Sequence, residues 1–448
     1  MEEITLCIGV AAAALVLLVS PRRGLIVYLI VLLCYPSYLR IIVSGCTVSA
    51  GRIVVTALLM RCLLDEQLRR GFRWTRLDTL VIIADAVYVL VLSSATADTL
   101  AALKFMSGGI LDSTFAYFSA RLIINNRTVL IHVVKWAAVI LVVMALLGVF
   151  EATTTRSPYK GLLKYRFHAE RSLGAKKMAK QEVKVGHGHE LRWGFFRAQG
   201  SHPHPIIFGA SFAVFVPLVW KLFSHTRWKL ALTGICGAIV LGGASSMSST
   251  PWSGLLVALA GLVFERLKRW AKPLLVLAVL FCIFVEFYSD KHHFYYVLMA
   301  RSSVLGGAGH ARAQLMDAAV KHLPEYWLAG YGFKDPGWGA KVSGMDYTDV
   351  CVHYVFLAVM YGVFGLLAYL AIVGKLLSSL WRRYRQSVET IDRDICWGII
   401  VSIAVILTVH LGTTPFGILL SLNSVIFGIG GSVISPEFKG EYVTARRL

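Results

Sequence analysis

Residues 129–150 read VLIHVVKWAAVILVVMALLGVF, a run of apolar side chains interrupted only by His132 and Lys135. A bilayer-spanning α-helix needs roughly 17–25 mostly apolar residues, so this run predicts a transmembrane helix. Similar runs, this one included, begin near Ile4, Gly24, Val48, Asp78, Leu100, Val129, Ile206, Trp228, Trp252, Leu274, Val352, Trp397 and Gly417. Because the first two form a tight pair around Pro21, we predict an all-α polytopic integral membrane protein with about 12–13 transmembrane helices.

The composition agrees with a membrane protein. Hydrophobic residues make up 57% of the 448 residues and charged residues 16%, against about 45–50% and 25% in soluble domains. This excludes a set of soluble domains, a disulfide scaffold, a coiled coil and a disordered chain. The net charge of +20 fits basic cytoplasmic loops. No soluble basic domain is present to hold nucleic acid, so no nucleic-acid partner is expected.

The eight cysteines are scattered, without a CxxC pair, and we interpret them as small buried hydrophobic residues. The acidic start Met1-Glu2-Glu3 does not fit a signal peptide. We therefore expect the first apolar run to be retained as a helix.

The basic turns predict the topology. Arginines and lysines concentrate in 61–76, 221–229, 266–272, 375–393 and the C-terminal tail. Alternation of the spans puts all five on one side, which the positive-inside rule makes cytoplasmic. The chain then divides into N-terminal transmembrane helices (1–150), a basic periplasmic loop (151–205), central transmembrane helices (206–288), a large periplasmic loop with short helices (289–351), and C-terminal transmembrane helices with a cytoplasmic tail (352–448).

The two outer loops differ in charge. The first has 11 Lys and Arg against 4 Asp and Glu, a balance of +7, whereas the second has 6 of each. A strongly positive outer loop indicates contact with anionic lipid headgroups or with an anionic ligand. The second loop contains a predicted short helix, His310–Leu323, followed by Pro324 and several glycines that predict turns. Loops of this length are uncommon unless they are functional or disordered.

Candidate anion-binding residues lie in both loops. Arg197 directly precedes an apolar run, and Arg192 is close to it in sequence. A planar guanidinium can hold a phosphate through two hydrogen bonds, but an arginine at this position can also extend to the membrane surface. In the second loop, Arg301 and Arg312 are the corresponding candidates, with a solvated helix face as the alternative for Arg312.

A histidine and a polar turn complete the candidates. His353 begins a span, where it either packs or accepts a proton near neutral pH. Ser248, Ser249 and Thr250 precede another span, and they either contact a sugar or phosphate or cap the following helix. The pairs His187, His189 and His202, His204 suggest a metal site, but the basic loop disfavours a cation, and we predict no metal.

In their order along the chain, these pieces resemble the O-antigen ligase and O-antigen polymerase superfamily of bacterial envelope glycosyltransferases. An arginine segment enters a span, a serine-rich turn precedes another span, an outer loop contains Arg, Pro and Gly-x-Gly, and a histidine opens a glycine-containing span. The resemblance covers about 151–370. Many members have a Ser-Arg pair where this chain has Ser245-Ser-Met-Ser-Ser-Thr-Pro251, so another cation, with Arg301 as a candidate, would supply that charge.

The resemblance implies a chemistry. A glycan carried on undecaprenyl diphosphate at the periplasmic face of the bacterial inner membrane would be transferred to an acceptor sugar hydroxyl. No metal or other cofactor would be needed. By position, Arg197 and Arg312 match the diphosphate-binding arginines, and His353 matches the histidine that is thought to activate the acceptor hydroxyl.

The acceptor separates the remaining alternatives. A polymerase of O-antigen or exopolysaccharide would use another lipid-linked repeat, and a ligase would use lipid A core. The missing Ser-Arg arginine and the basic first loop favour a polymerase. Membrane lipids, a flippase and a chain-length regulator are the other expected partners. The rival class is a transporter, for which the candidate intramembrane residues are Asp85, Asp112, His132, Lys135 and His410.

Overall fold

The fold was taken from a computed structural model, which describes residues 2–43, 46–96, 98–159, 191–225, 227–288, 293–301, 308–342, 344 and 346–438. These residues are mostly helical, which confirms a helical architecture. The helices are α1 (Glu2–Leu18), α2 (Pro21–Cys34), α3 (Ala50–Leu64), α4 (Glu66–Arg70), α5 (Arg76–Ala95), α6 (Thr99–Asp112), α7 (Thr114–Ile123), α8 (Arg127–Thr154), α9 (Pro205–Phe223), α10 (Lys229–Ala244), α11 (Ser249–Phe264), α12 (Ala271–Tyr288), α13 (Phe294–Arg301), α14 (Ala308–Lys321), α15 (Leu323–Tyr326), α16 (Gly339–Val342), α17 (His353–Gln386), α18 (Thr390–His410) and α19 (Ile418–Ile434).

Two antiparallel hairpins interrupt the helices of the described chain. Strands β1 (Arg40–Val43) and β2 (Cys46–Ser49) pair before α3. Strands β3 (Leu191–Arg192) and β4 (Phe195–Phe196) pair shortly before α9. Sequence periodicity did not predict either hairpin.

Apolar helices support a membrane protein. Within the described chain, α5, α8, α9 and α17 are long and apolar enough to cross a bilayer, and shorter helices coincide with the other apolar runs. Large apolar side chains on α12 are exposed, among them Phe284 and Phe287. Such continuous exposed apolar surface is typical of contact with lipid or a partner. The number of 12–13 spans and the periplasmic position of the two loops stay predictions.

Helix α9 forms the centre of the bundle and packs against α10, α11 and α18. Phe208, Phe212 and Phe215 of α9 are fully buried. Small residues allow the neighbours to approach closely, since a Cβ at Gly242 of α10 would lie 2.6 Å from the Cβ of Ala145. Close packing of this kind stabilises helices in membranes, where lipid tails compete for apolar contact.

Ion pairs join several helix ends at one end of the bundle. Lys221 near the end of α9 pairs with Asp394 of α18 at 2.8 Å and also with Glu265, which follows α11. Arg127 at the start of α8 pairs with Asp392 of α18 at 2.8 Å. The alternation of the predicted spans brings these same ends together. Which face of the membrane they occupy stays a prediction.

The second predicted loop contains the expected short helix. The prediction of His310–Leu323 corresponds to α14, and Pro324 lies in the first turn of α15. Gly330 and Gly332 have positive φ angles of 71° and 60°, as expected for turns.

The segment after α15 docks on a break in α17. Gly362 has φ 65° and ψ −164°, which are not helical angles. The break frees Val363 N–H and Val359 C=O, and these bond Trp327 C=O at 2.7 Å and Tyr331 N–H at 2.6 Å. The second loop therefore packs into the bundle through backbone hydrogen bonds.

Candidate functional site

The predicted polar turn lies between α10 and α11, at the end of the bundle opposite Lys221. Met247 adopts a positive φ of 45°, which reverses the chain direction. Ala198 N–H donates to Ser245 C=O at 3.1 Å. The turn is therefore tied to the segment that carries Arg197.

Arg197 points to this turn, and its Nη2 donates to Ser248 Oγ at 3.4 Å. Ser248 occupies the N-cap position of α11, but its side chain accepts no hydrogen bond from the first turn of that helix. The helix-capping role that we considered for this serine is therefore absent, and its hydroxyl contacts a guanidinium instead.

Arg312 reaches the same turn from α14. Its side chain is buried, with 7% exposed, and its Nη2 donates to Thr250 Oγ1 at 3.0 Å. Its Nε is buried and has no hydrogen-bond partner among the described residues. Within the part of the chain that the structure describes, Arg312 forms no ion pair with a carboxylate. A buried cation without a counterion is costly, and it is a candidate site for an anion.

Arg192 lies near Arg312. It belongs to β3, and burial lowers the pKa of its guanidinium below the ordinary value, with the positive charge of Arg312 lowering it further. Two like charges held together destabilise each other unless an anion lies between them. Arg197 and Arg312 thus meet at one Ser–Thr turn, and Arg192, from the same segment as Arg197, lies near Arg312.

Cys351 connects this cluster to the start of α17. Burial raises the pKa of the Cys351 thiol, and Arg312 opposes that shift through its charge and a hydrogen bond. Thr414 Oγ1 donates to Val350 C=O at 3.1 Å and thereby fixes the same segment. His353 follows two residues after the thiol.

His353 is buried among aromatic rings. Its ring centroid lies 4.4 Å from that of His410 and 5.1 Å from that of Tyr369. Its buried Nδ1 has no hydrogen-bond partner within the described part of the chain. His410 is held on both ring nitrogens, by Tyr369 Oη at 2.8 Å and Asn423 Nδ2 at 3.0 Å.

The other predicted site residues are less informative. Ser249 is the first residue of α11. Arg301 is the last residue of α13, and its side chain lies outside the described part of the molecule. His187 and His189 also lie outside the described residues.

The two histidines before α9 have local roles. His202 Nε2 lies 3.1 Å from Ser211 Oγ, and burial lowers the pKa of His202 to about 3. His204 Nδ1 accepts from Ile206 N–H at 3.1 Å. Among the described residues, no three His, Cys, Asp or Glu side chains come together to hold a metal ion.

Sequence reasoning missed two residues that shape the site. Glu151 is fully buried, and its Oε2 accepts from Gly200 N–H at 2.8 Å and Gln199 N–H at 3.3 Å. A lone carboxylate at the end of an apolar run was the available signal. Gly412 packs directly against Thr250, since a Cβ there would lie 2.1 Å from Thr250 Oγ1. Nothing in the sequence indicates that contact.

The fold and these residues define a helical membrane protein with an arginine-rich site at one end of its bundle. No protein-family model matches the chain. No curated protein matches its sequence.

Proposed function

We propose that this protein is a bacterial inner-membrane glycosyltransferase that transfers a glycan from undecaprenyl diphosphate to an acceptor sugar hydroxyl, as a polymerase of O-antigen or exopolysaccharide. The observation that carries the proposal is the meeting of Arg312 and Arg197 at the Ser248–Thr250 turn, with Arg192 beside them. The assignment to the O-antigen ligase and polymerase superfamily rests on the resemblance in the order of these segments along the chain.

A diphosphate suits this site better than a neutral ligand. Guanidinium groups form short, charge-assisted hydrogen bonds to phosphate oxygens, and the unpartnered Nε of Arg312 offers a further donor. Negative charge builds on the diphosphate as it leaves, and cations already held in position lower that barrier. The Ser248 and Thr250 hydroxyls are further hydrogen-bonding groups for the phosphates or the first sugar.

His353 is the proposed general base. The acceptor oxygen would form a bond to the anomeric carbon while the bond from that carbon to the diphosphate oxygen breaks. The bonding electrons leave with undecaprenyl diphosphate, and the acceptor proton passes to the histidine. General bases typically contribute about 10²–10⁴-fold to a rate.

The test is glycan transfer by the purified protein in lipid nanodiscs, with lipid-linked glycan from the native host. Release of undecaprenyl diphosphate is measured for wild type, Arg312→Gln and His353→Ala. The control is Arg156→Gln, which removes an exposed arginine of the same predicted loop as Arg197. We expect both site variants to lose at least about 100-fold in rate, and the control to match wild type. Equal rates for all four proteins would refute the proposal.

The acceptor is tested in the native host. A deletion strain is complemented with wild type or with His353→Ala, and envelope glycans are separated on a gel. A polymerase predicts single repeat units on lipid A core and no polymer. The alternative, an O-antigen ligase, predicts full-length chains that remain on undecaprenyl diphosphate.

The transporter alternative depends on charges within the bundle. Asp112 accepts hydrogen bonds from Arg52 at 2.9 and 2.6 Å, and Asp85 accepts one from Thr114 at 2.5 Å. These local partners explain both carboxylates as contacts between helices, so they do not favour transport. A wild-type glycan profile in the His353→Ala strain would favour it.

A further inference from the structure

The turn of the second hairpin holds an aromatic residue in an unfavourable conformation. Trp193 and Gly194 connect β3 to β4, with positive φ angles of 53° and 80°. A two-residue hairpin turn of this kind favours Asn followed by Gly. A bulky residue with positive φ is uncommon, and such strain concentrates where a protein binds or reacts with a ligand.

Trp193 is also exposed, with 67% of its surface accessible. Among the described residues, its one ring contact is with Trp252 of α11, edge to face, at 6.1 Å between centroids. Trp252 is fixed, because its Nε1 donates to Ala244 C=O at 3.0 Å. The two indoles therefore form an open aromatic corner, in which a hydrogen bond holds the Trp252 ring in place.

This corner lies beside the arginine cluster. The backbone N–H of Trp252 donates to Ser248 C=O at 3.2 Å, and the Ser248 hydroxyl accepts from Arg197. Trp193 directly follows Arg192, on which the charge of Arg312 acts. The same helix turn and the same hairpin thus carry both the cations and the indoles.

We infer that Trp193 and Trp252 form a carbohydrate-binding platform for the sugar that is joined directly to the diphosphate. The inference rests on the proposed function. Sugars have faces of C–H groups that pack against the electron-rich faces of aromatic rings. A diphosphate held by the arginines places its first sugar one bond away, within reach of the corner. Trp193 occupies a turn position that asparagine would suit better. A binding role for the indole explains why a strained tryptophan stands there.

The test compares two ligands in nanodiscs. One is undecaprenyl diphosphate alone, and the other is the host's undecaprenyl-diphosphate-linked glycan. Affinity is measured for wild type, Trp193→Asn and Trp193→Phe. Asparagine keeps the hairpin turn, since it tolerates positive φ, and phenylalanine keeps an aromatic face. Trp228→Asn is the control, because Trp228 is 75% exposed and precedes α10 at the opposite end of that helix from the polar turn.

We expect wild type to bind the glycan-bearing lipid about tenfold more tightly than undecaprenyl diphosphate, which corresponds to 1.4 kcal/mol. Trp193→Asn should remove this preference and leave the affinity for undecaprenyl diphosphate unchanged, and Trp193→Phe should restore most of it. If Trp193→Asn weakens both ligands equally, or changes neither, the platform is refuted, and a general lipid contact explains the first of these results. If wild type fails to bind undecaprenyl diphosphate at all, the proposed function itself fails.

Discussion

Substituting Gly412 by alanine should disturb the site through Thr250. An added Cβ would lie 2.1 Å from Thr250 Oγ1 and 2.7 Å from its Cγ2. Real Cβ contacts almost never fall below 3.0 Å, so the hydroxyl must retreat by about 0.9 Å, the difference between 3.0 and 2.1 Å. That hydroxyl accepts the hydrogen bond from Arg312 at 3.0 Å. We expect a loss of about 1–3 kcal/mol in stability from overpacking, together with a loss of transfer activity.

A pair of variants separates the two effects. Thr250→Ala removes both γ atoms, so Thr250→Ala with Gly412→Ala should be more stable than Gly412→Ala alone. Its activity should equal that of Thr250→Ala, because both lack the hydroxyl that Arg312 contacts. Thermal unfolding in detergent and release of undecaprenyl diphosphate measure the two quantities. Non-additive effects of this kind are typical of residues in direct contact.

The control for this experiment is Gly374→Ala in α17. A Cβ at this exposed glycine would meet no atom within 4 Å. We expect activity to match wild type and stability to rise slightly, because alanine is a better helix former than glycine. If Gly412→Ala is as stable and as active as wild type, Gly412 does not pack directly against Thr250.

Three other variants test other parts of the structure. Gly362→Ala should sharply lower the yield of folded protein, because Gly362 has φ 65° and a Cβ there would lie 2.1 Å from Leu328 C=O. A melting temperature equal to that of wild type would contradict the docking of the second loop at the break in α17. Burial raises the pKa of Asp335, but hydrogen bonds from Gly337 N–H and from Thr348 together outweigh it and hold that pKa below its ordinary value. The ionised group therefore stabilises the fold above the unfolded pKa of about 3.9, and this contribution disappears as the pH falls through the folded pKa. Asp335→Asn should lower the melting temperature at pH 7 but have less effect at pH 3, and an equal effect at both would contradict the shift. His410→Asn should slow glycan transfer more than it weakens undecaprenyl diphosphate binding, since His410 packs against the proposed base; equal losses would indicate a general structural role.

Hydrophobic patterning predicted the helices because each apolar run must satisfy its backbone internally. It could not predict the break at Gly362, which lies within an apolar run. The break depends on backbone hydrogen bonds between α17 and the second loop, in which Trp327 C=O accepts and Tyr331 N–H donates. The first hairpin escaped prediction for a related reason. Its strands, Arg40–Val43 and Cys46–Ser49, are too short for alternation to distinguish them from the ends of the flanking helices.

The site was partly predictable. Arg197 stood out because it directly precedes an apolar run, and Arg312 because it lies on the short helix predicted in the second loop. The structure brings both to the Ser248–Thr250 turn. The roles of Arg192 and Trp193 depend on a hairpin that sequence did not indicate. His353 packs against His410, and Arg312 acts on Cys351, two residues before it. Both are tertiary contacts that the sequence does not indicate. The role of His353 in catalysis stays a prediction.

The most direct measurement is the affinity of undecaprenyl diphosphate for wild type, Arg312→Gln and the control Arg156→Gln in nanodiscs. A hydrogen bond to a charged group is worth about 1.5–3 kcal/mol. We therefore expect Arg312→Gln to bind at least about tenfold more weakly, with Arg156→Gln equal to wild type and the melting temperature of Arg312→Gln not reduced. Equal affinities for all three proteins would contradict a diphosphate site at the arginine cluster.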